Sequence, residues 1–238
     1  MRSLPAVPLV LLLGSMFVHG QASEPAKVWP VHSMERPRPP VVKPKFDGKP
    51  VPAPPGALVL FDGSSLDSWK SGDAAAKWKI NGESPPAMQV VPGSGQLRCD
   101  LPLKGDGHLH LEWATPAEVK GDGQGRGNSG VFLDGFPEIQ VLDSYQNDTY
   151  PDGQAAALYG KRPPAANACR KPGEWQAYDI VFRRPDAGAD KVLLTVTHNG
   201  VVVHDEVELD AGQQERFLSF QDHGNPMRFR NIWFKPAK

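Results

Sequence analysis

The 238-residue chain has little that would scaffold it covalently or steer it electrostatically. Its two cysteines, Cys99 and Cys169, are too few for a metal framework or a disulfide lattice. Their spacing leaves two readings open, one bridge or two buried small hydrophobes. With 26 basic and 27 acidic side chains, the net charge is −1. That gives no electrostatic case for nucleic acid or an anionic membrane surface as partner. No segment holds a 3.6-residue apolar period beyond a turn or two, so helices are not expected to carry the fold. No G-x-S-x-G elbow occurs, which removes support for a Ser-His-Asp triad. No apolar run reaches the ~20 residues of a membrane span. The longest, Leu4 to Val18, follows Arg2 and precedes the small residues Gly20 and Ala22. This is the pattern of a signal peptide over residues 1–22, and it predicts a secreted or periplasmic protein.

Proline and glycine, by contrast, are abundant. Ten prolines fall within residues 25–55. Each lacks an N–H and fixes φ, so residues 23–56 are expected as an extended, polyproline-rich arm. Trp29, Val41, Val42 and Phe46 could lay that arm along a domain, or the arm could be a solvated linker. From Ala57 onward, short strand-like runs alternate with Gly, Pro, Asn and Asp. Asn199-Gly200 between two β-branched runs marks a hairpin. Residues 57–238 therefore read as one all-β domain, a two-sheet jelly-roll sandwich, with no repeat and no second domain.

Three strands carry unusual polarity. In "HLHLEWA", Leu109, Leu111 and Trp113 share the core face, so His108, His110 and Glu112 share the other. In "PEIQVLDSY", Ile139 and Val141 face the core, while Glu138 and Gln140 face out. Strict alternation leaves Asp143 inside, and a bulge would be needed to return it to the polar face. In "LSFQDHG", Gln221 and His223 share a face. Any one of these residues is ordinary for a solvated strand. Together, with Lys absent from all three stretches, they point to a small polar ligand site. The glycine-rich "GDGQGRGNSG" enters a strand at Asn128 and Ser129, and it lets backbone approach a ligand or turn sharply. Tyr145, Tyr150 and Tyr159 offer flat surfaces for a sugar ring or simply close the sandwich end. His110 and Glu112 with a third ligand offer a divalent-metal alternative; no cofactor is otherwise implied.

"LFDGSSLDSW", "LHLEW", "RGNSGVFL", "EIQVLDSY", "GQAAALYG", "NACRKPGEWQAYDIVF", "HNGVVVH" and "QDHGNPMRFRNIWF" occur in order. Together they resemble the 3-keto-disaccharide hydrolase family over residues 57–238. The resemblance implies a concanavalin-like jelly roll, a bacterial exported enzyme and an oligosaccharide or glycoside substrate. Two positions depart from the family's usual pattern: Ala156 stands where Gly is usual, and His108 where Gln is usual. Such enzymes cleave sugars oxidised to a ketone at C3, which needs one base and one acid. Glu138 and His223 are expected in those roles, in either order. His110, Glu112, Asn128 and Gln140 are expected to hold the sugar, with Asp143, Tyr159 and Gln221 beside them. Arg170 is expected to steady the enediolate or to form a rim salt bridge. The Glu138-x-Gln140-x-x-Asp143 spacing also echoes the Glu-x-Asp-x-x-Glu strand of laminarinase-type glycosidases. There, two carboxylates ~5–5.5 Å apart are needed, and a shortened acid disfavours that route.

Overall fold

The computed structural model describes residues 27–186, 188–212 and 215–237. The expected signal peptide, 1–22, lies outside the described residues. The regular structure of the described residues is almost all strand; its helical elements are short 3-10 turns at Gly123–Gly125 and Pro151–Gly153. No helix among the described residues is long and apolar enough to cross a membrane.

Two antiparallel sheets form the sandwich. The larger runs Val201–Asp210, Lys191–His198, Gln176–Arg183, Gly107–Ala114, Arg228–Pro236, Met88–Gln89, Lys79–Ile80, with Leu58–Phe61 also paired to Arg228–Pro236. The smaller runs Ile139–Leu142, Asn128–Leu133, Leu218–Phe220, Leu97–Cys99, Trp69–Ser71, Ala74–Ala75. Period-two patterning places the core between them. Leu109, Leu111, Trp113, Val192, Leu194 and Val196 come from the larger sheet, and Val131, Ile139, Val141 and Phe220 from the smaller. The Asn199-Gly200 hairpin forms as expected, with φ of 50° and 75°. Both cysteines are free and buried, and burial pushes their thiols up to about 11 and about 12.

Of the two readings of the arm, the docked one holds, with Trp29, Val42 and Phe46 half-buried but Val41 turned outward. Val41 is 83% exposed. Backbone groups hold the arm as well. Lys45 and Phe46 N–H both donate to Asn199 O, and Val42 N–H donates to Asn167 O. Arg230 Nη2 donates to Gly48 O at 2.8 Å, and Trp233 Nε1 to Val51 O at 3.2 Å. The arm thus crosses the outer face of the larger sheet.

That path decides the fate of "HLHLEWA". Its alternation is as expected, but its polar face lies under the arm. Glu112, fully buried, accepts from Val51 N–H at 2.6 Å, Arg230 Nε at 2.7 Å and Asn231 Nδ2 at 2.9 Å. A register shift between Arg230 and Trp233, with Asn231 at φ 47°, lets both neighbours reach the same carboxylate. Burial opposes its charge, but His110, Val51 N–H, Asn231 and Arg230 together hold the Glu112 carboxyl below its usual range. His110 stacks on Trp233 at 4.9 Å and shares Asp179 with His108.

Candidate functional site

The site is built on the outer face of the smaller sheet. Gln140 is directly opposite Gly130, and Gln221 N–H donates to Gly130 O at 3.1 Å. Gln140, Gly130 and Gln221 therefore form a row across three chain segments. Glu138, two residues before Gln140, shares its side. Gly130 leaves that row without a side chain at its centre, and the Glu138 carboxylate occupies the space. A β-carbon at Gly130 would stand 2.1 Å from Glu138 Oε1.

Above this floor is a recess of about 90 Å³, lined by Gln124, Asn128, Glu138, Gln140, Tyr159, Gln221 and His223. Six of the seven are residues the sequence singled out. Among the described residues the Glu138 side chain has no hydrogen-bond donor. Burial alone pushes its carboxyl up to about 7. Glu138 is the recess's one carboxylate. His223 is exposed at its mouth.

Neutral amides hold the far wall. Gln124 Nε2 donates to Thr149 Oγ1 at 2.8 Å and Gly153 O at 2.9 Å, which orients its Oε1 to accept from Gln140 Nε2 at 2.8 Å. Asn128 Nδ2 donates to Gln124 O at 2.8 Å, but its buried Oδ1 has no partner. An unpaired buried acceptor facing a recess is a ready hydrogen-bond position for a hydroxyl-rich ligand. Tyr159 is placed by its own N–H, which donates to Glu138 O at 2.9 Å. Its hydroxyl is 2.6 Å from that of Tyr150. Burial, then the Tyr159 hydroxyl and the Asp152 and Glu138 charges, raise the Tyr150 hydroxyl above its usual value.

Four expected site residues are elsewhere. His110 and Glu112 are in the larger sheet beneath the arm, apart from the recess around Glu138. Alternation fixes the face of a strand but not the sheet to which it belongs. Glu112 already accepts three protein hydrogen bonds, and no group of three or more potential metal ligands occurs among the described residues. Asp143 does not bulge back. The register is unbroken through Leu142↔Asn128, Asp143 N–H continues it to Gly127 O at 2.8 Å, and Arg126 Nε holds the carboxylate at 2.9 Å. Arg170 donates to Phe46 O at 2.6 Å and contacts Glu174 at 3.2 Å, so the rim salt bridge is the reading that holds. Sequence reasoning missed Gln124 and Gly130. Gln124's flanking glycines were the available signal; nothing marked Gly130 as a floor. Ala156, where a Gly is usual, has φ 66°, the left-handed region that explains the usual residue.

The sequence model of the 3-keto-alpha-glucoside-1,2-lyase-like domain matches residues 56–235. A crystal structure from Parabacteroides distasonis ATCC 8503, named a "putative glycosyl hydrolase", is 36% identical, with a TM-score of 0.71. That match covers 84% of this chain and 93% of the other. Another so named from the same organism is 16% identical and covers 77% and 94% of the two chains. Its TM-score of 0.57 speaks for the jelly-roll fold. No curated protein matches the chain.

Proposed function

Because the chain belongs to the 3-keto-alpha-glucoside-1,2-lyase-like domain family, and is thereby a carbohydrate-active enzyme, we propose that its recess cleaves glycosides carrying a ketone at C3. The observation that carries this reading is the single, desolvated Glu138 carboxylate among neutral amides. A double-displacement or inverting glycosidase needs two carboxylates across the bond. Elimination next to a ketone needs one base.

The ketone acidifies the C2 hydrogen. Glu138 takes that proton, and the C2–H pair becomes the enediolate. The pair then forms the C1–C2 double bond as the C1–O bond breaks and its electrons leave on the aglycone oxygen. His223 in its protonated form supplies the proton that the departing oxygen needs. Water adding across the double bond gives the free keto sugar. The order of roles follows position: Glu138 is over the floor without donors, and His223 is at the mouth, where a leaving aglycone exits. Gln140, Gln221 and the free Asn128 Oδ1 bind ring hydroxyls, and Asn128 Oδ1 suits a hydroxyl that donates. The leader-like residues 1–22 support an exported enzyme.

Incubation with a 3-keto-glucoside and with its unoxidised parent tests the proposal. Product from the keto sugar alone is expected. Product from both identifies an ordinary glycosidase, and binding without product a non-catalytic sugar-binding module; either result sinks the elimination reading.

A further inference from the structure

We infer that the N-terminal arm braces one wall of the groove, with His32 as a positioning residue whose ring holds the Tyr150–Tyr159 pair beside Glu138. Asp152 follows Tyr150 by two residues, and its side chain is fully buried. Its hydrogen-bond partners among the described residues belong to the arm: His32 N–H at 3.0 Å and His32 Nδ1 at 3.4 Å. His32 has φ 61°, a left-handed conformation that costs a non-glycine residue energy, so this clasp holds the backbone against its own preference. In that pose its ring is 4.1 Å from the Tyr150 ring and 5.0 Å from the Tyr159 ring. Tyr150 also packs on Gly153, where a β-carbon would stand 2.1 Å from Cε2 and 2.9 Å from Gln124 Nε2. The ring is gripped between the arm and the turn, and its hydroxyl fixes that of Tyr159 on the recess wall.

The inference rests on the reading of Glu138 as the base, because the tyrosine wall is what keeps water from that carboxylate. The titratable groups facing Glu138 are Tyr150, Tyr159 and His223; those facing His32 are Asp152 and the same two tyrosines.

The test uses the full chain and follows the Glu138 carboxyl by carbon NMR titration in wild type, His32→Ala and His32→Phe. Removing the ring is expected to admit water and lower the Glu138 midpoint by about one unit or more. On a 3-keto-glucoside, kcat of His32→Ala is expected to fall about 10-fold with KM little changed, as for a displaced wall. His32→Phe, which keeps a ring against Tyr150, is expected to titrate as wild type. An unchanged midpoint in His32→Ala overturns the inference, as does a His32→Phe midpoint as low as that of alanine. Absence of turnover in wild type would instead defeat the proposed reaction, and the titration would still decide the role of His32.

Discussion

Gly130 contributes to the groove by having no side chain. The nearest obstacle to a β-carbon there is the free end of Glu138, a flexible group that can swing away. Gly130→Ala is therefore expected to leave the melting temperature nearly unchanged while lowering kcat about 100-fold, since misplacement by ~1 Å has that effect. Kinetics beside a thermal melt decide it; wild-type kcat in the alanine variant would remove the floor from the mechanism. Glu138→Gln should reduce kcat by about 10²–10⁴-fold, the usual contribution of a positioned base, while leaving sugar binding intact. The base works ionised, so the ascending limb of kcat/KM should follow Glu138 and rise with pH through about 7. Stability runs the other way. The folded pKa is raised above that of the unfolded chain, so the folded state binds the proton more tightly, and its advantage is lost as pH rises through about 7. Glu138→Gln should consequently melt higher than wild type at pH 8 and almost with it at pH 4.

Strands and arm differ in how plainly the sequence declares them. Alternation in "HLHLEWA" and "EIQVLDS" places every side chain on the correct side of its own strand, because the pleat imposes that period regardless of context. It carries no information about which sheet a strand joins, since pairing is made by backbone atoms common to all residues. His110 and Glu112 were therefore grouped with Glu138, although they are in opposite sheets. The arm hides for the same reason: Lys45 N–H, Phe46 N–H, Val51 N–H and Gly48 O dock it, and none has a side-chain signature. Glu112 belongs to this docking, and removing one member of a buried ion pair typically costs about 3–5 kcal/mol. Glu112→Ala should lose stability on that scale in urea denaturation, while kcat per folded molecule stays near wild type. A large kcat loss with wild-type stability would return Glu112 to the site.

At the scale of the whole molecule, the two outer faces of the sandwich have different uses. The larger sheet is roofed by the arm, and the smaller one is open at the recess. This division is consistent with one carboxylate in the groove, because the second candidate, Glu112, is spent on the opposite face, and Asp143 on Arg126. The arm's order in the chain has a consequence for how the molecule is made. Gly48 and Val51 are held by Arg230 and Trp233, 182 residues later. The arm is therefore synthesised well before its anchors. Contacts so distant in sequence form late. On the inference that the arm braces the groove wall, the nascent chain carries that brace undocked until the strand bearing Arg230 and Trp233 has formed and the arm folds back over the sandwich.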